Sequence, residues 1–209
     1  MPKIVDADAR REDVADALFR VVRRDGFAAA SLRTVAKEAD LALGSVRHYF
    51  ANQPELMDFA FRLVSARIQA RVEELLLPLE ESEYESVEAL LDASLDVLAQ
   101  LLPLDEVRQE EATVLLSFAL AARTNPHLHT AGQESYRGTA AAVGRVILRL
   151  LDSGAARASL VPLMEAERLM AVVDGLGLHM LVQPEWAGGE AALATLRTHL
   201  ESLMDAAAE

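Results

Sequence analysis

Four neighbouring side chains near residue 47 have the chemistry to bind nucleic acid. They are Ser45, Arg47, His48 and Tyr49, in a chain of 209 residues. An arginine can donate two parallel hydrogen bonds to guanine or to a phosphate, and hydroxyl and imidazole groups also bond to base edges or phosphate oxygens. Such groups read a base sequence only when a rigid element carries them into a groove of the duplex. Whether these four side chains can bind DNA therefore depends on the secondary structure that carries them.

These side chains fall on the second helix of a predicted helix-turn-helix over residues 31–50. Ser31 can cap the first helix, whose apolar face consists of Leu32, Val35, Ala36 and Ala39. Asp40 follows where a tight turn requires a left-handed backbone, which aspartate tolerates. Val46 and Phe50 give the second helix a buried side, so the four polar side chains remain on or near its open side. We predict that this short helix enters a DNA major groove.

Helical patterns continue along the rest of the chain. An amphipathic helix is predicted over about 8–25, with Gly26 as its C-cap. A fourth helix is predicted to begin after Asn52 and to stop at Pro78, which lacks the N–H that a helix interior requires. Further helices are expected over about 86–101, 105–123, 126–151, 162–181 and 189–206. We therefore predict an all-α fold of about nine helices, with a three-helix head over 1–52 and a larger helical domain over 53–209.

The charge of the chain is unevenly distributed. The net charge is −13, but residues 1–60 hold nine Lys and Arg against ten Asp and Glu, so the acidity lies almost entirely in residues 61–209. A nearly neutral head can bind phosphates if its arginines face one way. The lack of cysteine excludes disulfides, thiolate catalysis and cysteine–zinc sites. No apolar run approaches the roughly 20 residues of a membrane span, and the charged N-terminus has no apolar signal core, so we expect a soluble cytoplasmic protein.

The stretch from Ser31 to Leu56 resembles the DNA-binding domain of TetR-family transcriptional regulators. The matching features are a helix-closing glycine, a hydroxyl residue that starts the next helix, a Val-Ala pair, a turn, a recognition helix and the entrance to a fourth helix. Here they are Gly26, Ser31, Val35-Ala36, Asp40-Leu41-Ala42, residues 44–50 and Gln53-Pro54-Glu55-Leu56. Three positions differ from the family pattern: Asp40 replaces the turn glycine, Arg47 a tyrosine and Gln53 a phosphate-binding lysine. The GSVRHYF form is similar to a branch whose members often have a BetI-like C-terminal domain.

The resemblance implies a ligand-responsive DNA-binding regulator, a repressor that a small molecule releases from double-stranded operator DNA. It adds five candidates for DNA contact, namely Arg33, Thr34, Leu43, Gly44 and Gln53. It also implies that residues 53–209 bind an effector and form a homodimer through the last two helices. The alternative is an all-helical small-molecule-binding or scaffold protein with a vestigial DNA-binding head, which Asp40 and Gln53 favour.

Residues in the larger domain offer few signals of other chemistry. Phe118, Tyr136 and His179 are candidates for effector contact, although each also fits ordinary packing. His127 and His129 are two positions apart, so on a helix they point in different directions, and we predict no metal site there. No Ser/His/Asp spacing, P-loop or glycine-rich nucleotide fingerprint is present. We therefore expect no enzymatic activity and no cofactor.

Overall fold

The computed structural model describes residues 7–204, and within them the protein is all-α, as predicted. The nine helices of residues 7–204 are α1 (Ala7–Asp25), α2 (Leu32–Glu38), α3 (Leu43–Tyr49), α4 (Gln53–Glu81), α5 (Val87–Ala99), α6 (Glu106–Ala122), α7 (Pro126–Asp152), α8 (Pro162–Val182) and α9 (Gly189–Glu201). A 3-10 turn, Phe27–Ala29, separates α1 from α2. None of the helices over residues 7–204 has the length and apolar composition needed to cross a lipid bilayer.

The chain divides into two compact units. Unit 1 consists of Met1–Arg67 and Thr113–Ser135, and unit 2 consists of Ile68–Ala112 and Tyr136–Glu209. Three helices, α4, α6 and α7, contribute residues to both units. The helix-turn-helix belongs to unit 1, whereas α5, α8 and α9 belong to unit 2.

Helix α1 is organised by its apolar stripe and by a glycine at its end. Val14, Leu18 and Val21 are fully buried. Gly26 has a positive φ of 84°, and its N–H donates to the carbonyl of Val22 at 2.9 Å. This left-handed glycine satisfies an end carbonyl and turns the chain, so the predicted C-cap is confirmed.

A cluster of three phenylalanines forms part of the core of unit 1. Phe118 of α6 is 0% exposed and lies between two other rings. The Phe27 ring meets it edge-on with centroids 5.2 Å apart, and the Phe61 ring of α4 stacks on it at the same distance. Because rings at this spacing gain contact area and favourable quadrupole geometry, the cluster joins α4, α6 and the 3-10 turn.

Helix α4 continues through Pro78 to Glu81, so the predicted end at Leu76 or Leu77 is wrong. Proline removes one backbone hydrogen bond, but contacts within unit 2 stabilise the turn that follows it. The Arg149 guanidinium of α7 donates to the carbonyls of Leu79 and Ser82, each at 2.9 Å. Leu79 is also buried. An arginine that satisfies end carbonyls favours one more helical turn.

The C-terminal helix packs within unit 2 against α5 and α8. Leu196 and Leu200 form its buried side, and Arg197 forms an ion pair with Asp92 of α5. Helix α9 ends at Glu201. Ser202 is its C-cap, so the prediction that this helix continues to about Ala206 is wrong.

Candidate nucleic-acid interface

Helix α2 begins with a reciprocal cap between Ser31 and Thr34. The Thr34 N–H donates to Ser31 Oγ at 3.2 Å, and the Ser31 N–H donates to Thr34 Oγ1 at 2.8 Å. The Thr34 hydroxyl also donates to the carbonyl of Ala29 at 2.7 Å. These hydrogen bonds use the Thr34 hydroxyl within the protein and hold the start of α2 against the 3-10 turn.

The turn between α2 and α3 has the predicted left-handed residue. Asp40 has a φ of 53°, and the next N–H, that of Leu41, donates to the carbonyl of Ala36 at 2.9 Å. Aspartate adopts this region more readily than most residues with a side chain. The departure from glycine is therefore accommodated, and the turn closes as a helix-turn-helix requires.

Helix α3 presents its polar side to solvent. Val46 and Phe50 are fully buried. The exposed positions are Gly44, Ser45, Arg47 and His48, while Leu43 and Tyr49 are half-buried. The His48 and Tyr49 rings meet edge-on with centroids 5.3 Å apart. The structure thus brings the four side chains predicted on the recognition helix to one short element.

The cations of unit 1 fall into two groups. On α1, Arg10, Arg20 and Arg24 form ion pairs with carboxylates. Over residues 7–204, Arg33 and Lys37 of α2 and Arg47 of α3 are exposed and form no such pair. Unpaired surface cations next to a short polar helix can neutralise phosphates without first breaking a bond within the protein.

Glu38, the last residue of α2, is paired with two arginines of α1. Arg24 and Arg20 donate to the Glu38 carboxylate at 2.8 and 3.0 Å, and these hydrogen bonds hold the pKa of Glu38 below its usual value. Hydrogen bonds from Arg24 likewise lower the pKa of Asp25. Arginines of α1 therefore match Glu38 and Asp25, whereas Asp40 is an exposed carboxylate in the turn between α2 and α3.

Lys37 is a candidate that sequence reasoning missed. It lies four residues after Arg33 on α2 and is exposed like it. Residues four apart share one side of a helix. That spacing could have identified Lys37 once Arg33 was considered.

Gln53 is held by a bond within unit 1. Its Nε2 donates to the carbonyl of Ala30 at 2.6 Å. Asn52 and Glu55 cap the same end of α4, since Asn52 Oδ1 accepts from the Glu55 N–H and Glu55 Oε2 accepts from the Ala51 N–H, each at 2.9 Å. The Gln53 side-chain amide thus ties α4 to the segment that precedes α2, and its backbone N–H remains at the start of the helix.

The three candidates for effector contact lie in different surroundings. Phe118 belongs to unit 1, within the phenylalanine cluster, whereas Tyr136 and His179 belong to unit 2 and are exposed. Tyr136 is 54% exposed. Across the described residues, no group of three or more His, Asp and Glu side chains is placed to hold a metal ion.

A substitution at Asp40 tests the conformation of the turn. Asp40→Ala should lower the free energy of unfolding by about 1 kcal/mol, because alanine has a larger penalty at a positive φ. Asp40→Gly should leave it equal to or above that of the parent chain, because glycine has no Cβ. Urea denaturation followed by circular dichroism measures both. If alanine proved as stable as glycine, the left-handed conformation would not be a constraint.

The C-terminal part of the chain matches a known domain family. Residues 90–205 match the profile described as "BetI-type transcriptional repressor, C-terminal". This match covers more than half of the chain and includes α6 to α9.

Individual proteins are similar over almost the full chain. The chain is 33% identical to the HTH-type transcriptional regulator PksA of Bacillus subtilis, over 97% of this chain and 94% of that protein. It is 31% identical to the HTH-type nicotine-responsive transcriptional repressor HdnoR of Paenarthrobacter nicotinovorans, over 84% and 85%. Among solved structures, a member of the TetR family from Streptomyces coelicolor A3 is 29% identical, with a TM-score of 0.68 over 91% of this chain and 97% of that one.

Proposed function

Because this chain belongs to the TetR family of transcriptional regulators and has a BetI-type C-terminal domain, we propose that it is a homodimeric repressor that a small molecule releases from its operator. The observation that carries the proposal is the set of α2 and α3 cations that form no ion pair within residues 7–204, next to the exposed polar side of α3. We expect the chain to act in the cytoplasm, where operator DNA is found.

The proposed division of labour assigns DNA binding to residues 1–52 and effector binding with dimerisation to residues 53–209. Helix α4 starts at this division, and Gln53 bonds its first turn to the carbonyl of Ala30. A displacement of α4 would therefore pull on the segment that leads into α2. An effector that binds better to the state that does not bind DNA would weaken operator binding, and DNA would weaken effector binding by the same factor.

The proposed contacts with DNA differ in kind. Ser45, Arg47, His48 and Tyr49 would face base edges in the major groove, with Arg47 as the main reader. Arg33 and Lys37 would bind phosphates on either side of the groove. The backbone N–H groups of Leu43, Gly44 and Gln53 lie at helix starts and suit further phosphate contacts. The hydroxyl of Thr34 would act by holding α2 in place.

The proposed dimer forms through α8 and α9. Helix α8 exposes apolar side chains at Met164, Leu178 and Val182, and Trp186 beyond its end is 86% exposed. At Gly175 an added Cβ would meet no atom within 4 Å, so a neighbouring helix could approach closely there. The exposed side of α9 is made of small residues, namely Ala191, Ala194, Thr195 and Thr198. An apolar surface of this kind favours a pair of helices from a second copy.

Leu178→Glu should convert the dimer into a monomer. A charge placed in an apolar interface loses its hydration without gaining a partner. The control is Leu77→Glu on α4, because Leu77 and Leu178 are both 45% exposed. Light scattering after size exclusion should give about twice the chain mass of 22.7 kDa for the parent and the control. If Leu178→Glu also remained dimeric, the interface would lie elsewhere.

The alternative, a helical ligand-binding protein with a vestigial head, has one observation in its favour. The side-chain amide of Gln53, at the position where the family has a phosphate-binding lysine, donates to a carbonyl within the protein. A contact of this kind leaves one fewer donor for DNA.

A gel-shift titration against the DNA upstream of the chain's own gene distinguishes the two functions. We expect specific binding that competitor DNA does not remove and that weakens steeply as salt rises, because released counterions accompany each phosphate contact. A vestigial head would bind the upstream fragment no better than unrelated DNA of the same length.

A further inference from the structure

Unit 2 contains a cavity of about 190 Å³ between α4 and α7. Its apolar lining consists of Ile68, Val72, Leu101, Ala141 and Ala142. Its polar lining consists of the Gln69 amide and Glu73 carboxylate of α4 and the Thr139 hydroxyl and Arg145 guanidinium of α7. None of the described residues that line it is aromatic. The cavity therefore combines an aliphatic wall with a single charged edge.

The charged edge has spare acceptors and few spare donors. Arg145 Nη1 donates to both oxygens of Glu73 at 2.8 and 3.0 Å, and its Nε donates to Glu80 at 2.7 Å. Its Nη2 also bonds to Glu80, so each nitrogen of the guanidinium already has a carboxylate partner. An ionised carboxylate has about four acceptor positions, so Glu73 retains room for another donor.

The carboxylates of Glu73 and Glu80 share the Arg145 guanidinium, and Arg149, one turn along α7, bonds to backbone carbonyls beside Glu80. The hydrogen bonds from Arg145 hold the pKa of Glu80 below its usual value, so Glu80 stays ionised at neutral pH. An anion entering the cavity would meet the Glu73 carboxylate and an arginine whose nitrogens already have carboxylate partners. A cation would meet the open positions on Glu73.

The size of the cavity limits the ligand. A cavity of roughly 150 Å³ is large enough for benzene, so a cavity somewhat larger accepts roughly six to ten non-hydrogen atoms. The lack of aromatic lining residues removes the cation–π contacts that hold quaternary ammonium groups and flat aromatic cations. Aliphatic walls suit an alkyl chain.

We propose that this cavity binds a small aliphatic ammonium ion, with its alkyl chain against Ile68, Val72 and Leu101 and its N–H groups donating to Glu73. The proposal rests on the function proposed above and deepens it by giving the chemical class of the effector. The ligand would contact α4 directly. Because α4 also contributes residues to unit 1, a ligand that favours a wider separation of α4 and α7 would displace the helix whose first turn Gln53 holds.

Two glycines of α7 provide a matched pair of variants. At Gly138 an added Cβ would overlap the side-chain amide of Gln69, which also lines the cavity and would have to move. At Gly144 an added Cβ would meet no atom within 4 Å. Alanine favours helix at both positions, so only Gly138→Ala should change the cavity.

Isothermal titration of the full chain with hexylammonium chloride, 1-hexanol and sodium hexanoate tests the proposal. The three probes share one alkyl length and differ in head group. We expect hexylammonium to bind tightest and hexanoate to bind at least about tenfold more weakly, a ratio that a single charge-assisted hydrogen bond can produce. Glu73→Gln should weaken hexylammonium about tenfold and leave hexanol within about twofold. Gly138→Ala should weaken hexylammonium and hexanol, whereas Gly144→Ala should weaken neither.

Three outcomes would overturn the proposal. Hexanoate binding as tightly as hexylammonium would contradict the charge argument. Unchanged hexylammonium binding in Glu73→Gln, with the melting temperature of the parent, would remove Glu73 from the site. No binding of any probe would remove the cavity as a ligand site. If the parent still binds its upstream DNA in the gel shift, these failures leave the proposed repressor function intact. If the probes bind but the DNA does not, the result supports the cavity as a ligand site and contradicts the repressor function.

Discussion

Arg47→Ala is expected to weaken binding to the upstream DNA by about 1–3 kcal/mol, or roughly 5- to 150-fold, because it removes a bidentate contact to a base edge. Arg47 is exposed on α3 and forms no ion pair within residues 7–204, so its truncation should not change the free energy of unfolding. The loss should be larger for the specific fragment than for unrelated DNA. Fluorescence anisotropy with both fragments at one salt concentration measures it.

The matched control for Arg47→Ala is Arg20→Ala on α1. It removes the same charge, but Arg20 is bonded to Glu38 at 3.0 Å. We expect its operator affinity to stay within about threefold of the parent, since long-range charge effects are screened at physiological salt. Equal losses for both variants would mean that net charge alone drives binding, and the assignment of Arg47 as a base reader would be wrong.

Loss of a phosphate contact should affect DNA binding differently from loss of the Arg47 base contact. Arg33→Ala and Lys37→Ala should weaken specific and non-specific DNA by similar factors and reduce the slope of log K against log salt by about 1 each. A base-reading residue changes the ratio of the two affinities, whereas a phosphate-binding residue changes both together. The same anisotropy titrations, repeated at four salt concentrations, separate the two roles.

Phe118→Ala is expected to lower the free energy of unfolding by about 3–5 kcal/mol, because it opens a cavity between Phe27 and Phe61 that the surrounding helices cannot fill. Phe118 is fully buried, and both neighbouring rings lie 5.2 Å from it. Phe118→Leu keeps most of the apolar volume, so it should lower the free energy of unfolding by less. Urea denaturation at 25 °C measures these changes, with the slope against urea checked for two-state behaviour.

Tyr136→Ala serves as the control for Phe118→Ala. Tyr136 is 54% exposed, so its truncation should change the free energy of unfolding by no more than about 0.5 kcal/mol. Phe118→Ala that unfolded like the parent would contradict the prediction for Phe118. In that case the phenylalanine cluster would contribute less to stability than its burial indicates.

Much of the fold follows from local patterns. The apolar period of α1, the Ser31 cap and the position of Asp40 predict a helix-turn-helix correctly, because capping and turn conformation depend on residues close in the chain. The ends of α5 to α8 were predictable within about two residues for the same reason. Pro78 shows the limit of this reasoning. A proline ordinarily stops a helix, and it does not here because Arg149, far along the chain, bonds to carbonyls beyond it.

In the candidate interface, too, local patterns predict some features and contacts between distant residues decide others. Sequence periodicity places Ser45, Arg47 and His48 on the open side of α3. Periodicity does not predict which cations of the head form ion pairs. Arg20 and Arg24 of α1 bond to Glu38, which is fourteen or more positions away in the chain. Lys37 could be identified from its spacing to Arg33, but only the structure shows that it forms no ion pair within residues 7–204.

The sequence by itself determined the helical class, the head with its cap and left-handed turn, and the family, because these depend on residue type and on spacings of three or four positions. Only the tertiary structure decided which donors are already used. It bonded the Gln53 amide to Ala30, enclosed Phe118 between two rings, and placed Glu73 and Arg145 at the edge of one cavity. The physical reason is that hydrogen-bond capacity and burial depend on neighbours brought together from distant parts of the chain, and periodicity within one helix does not specify them.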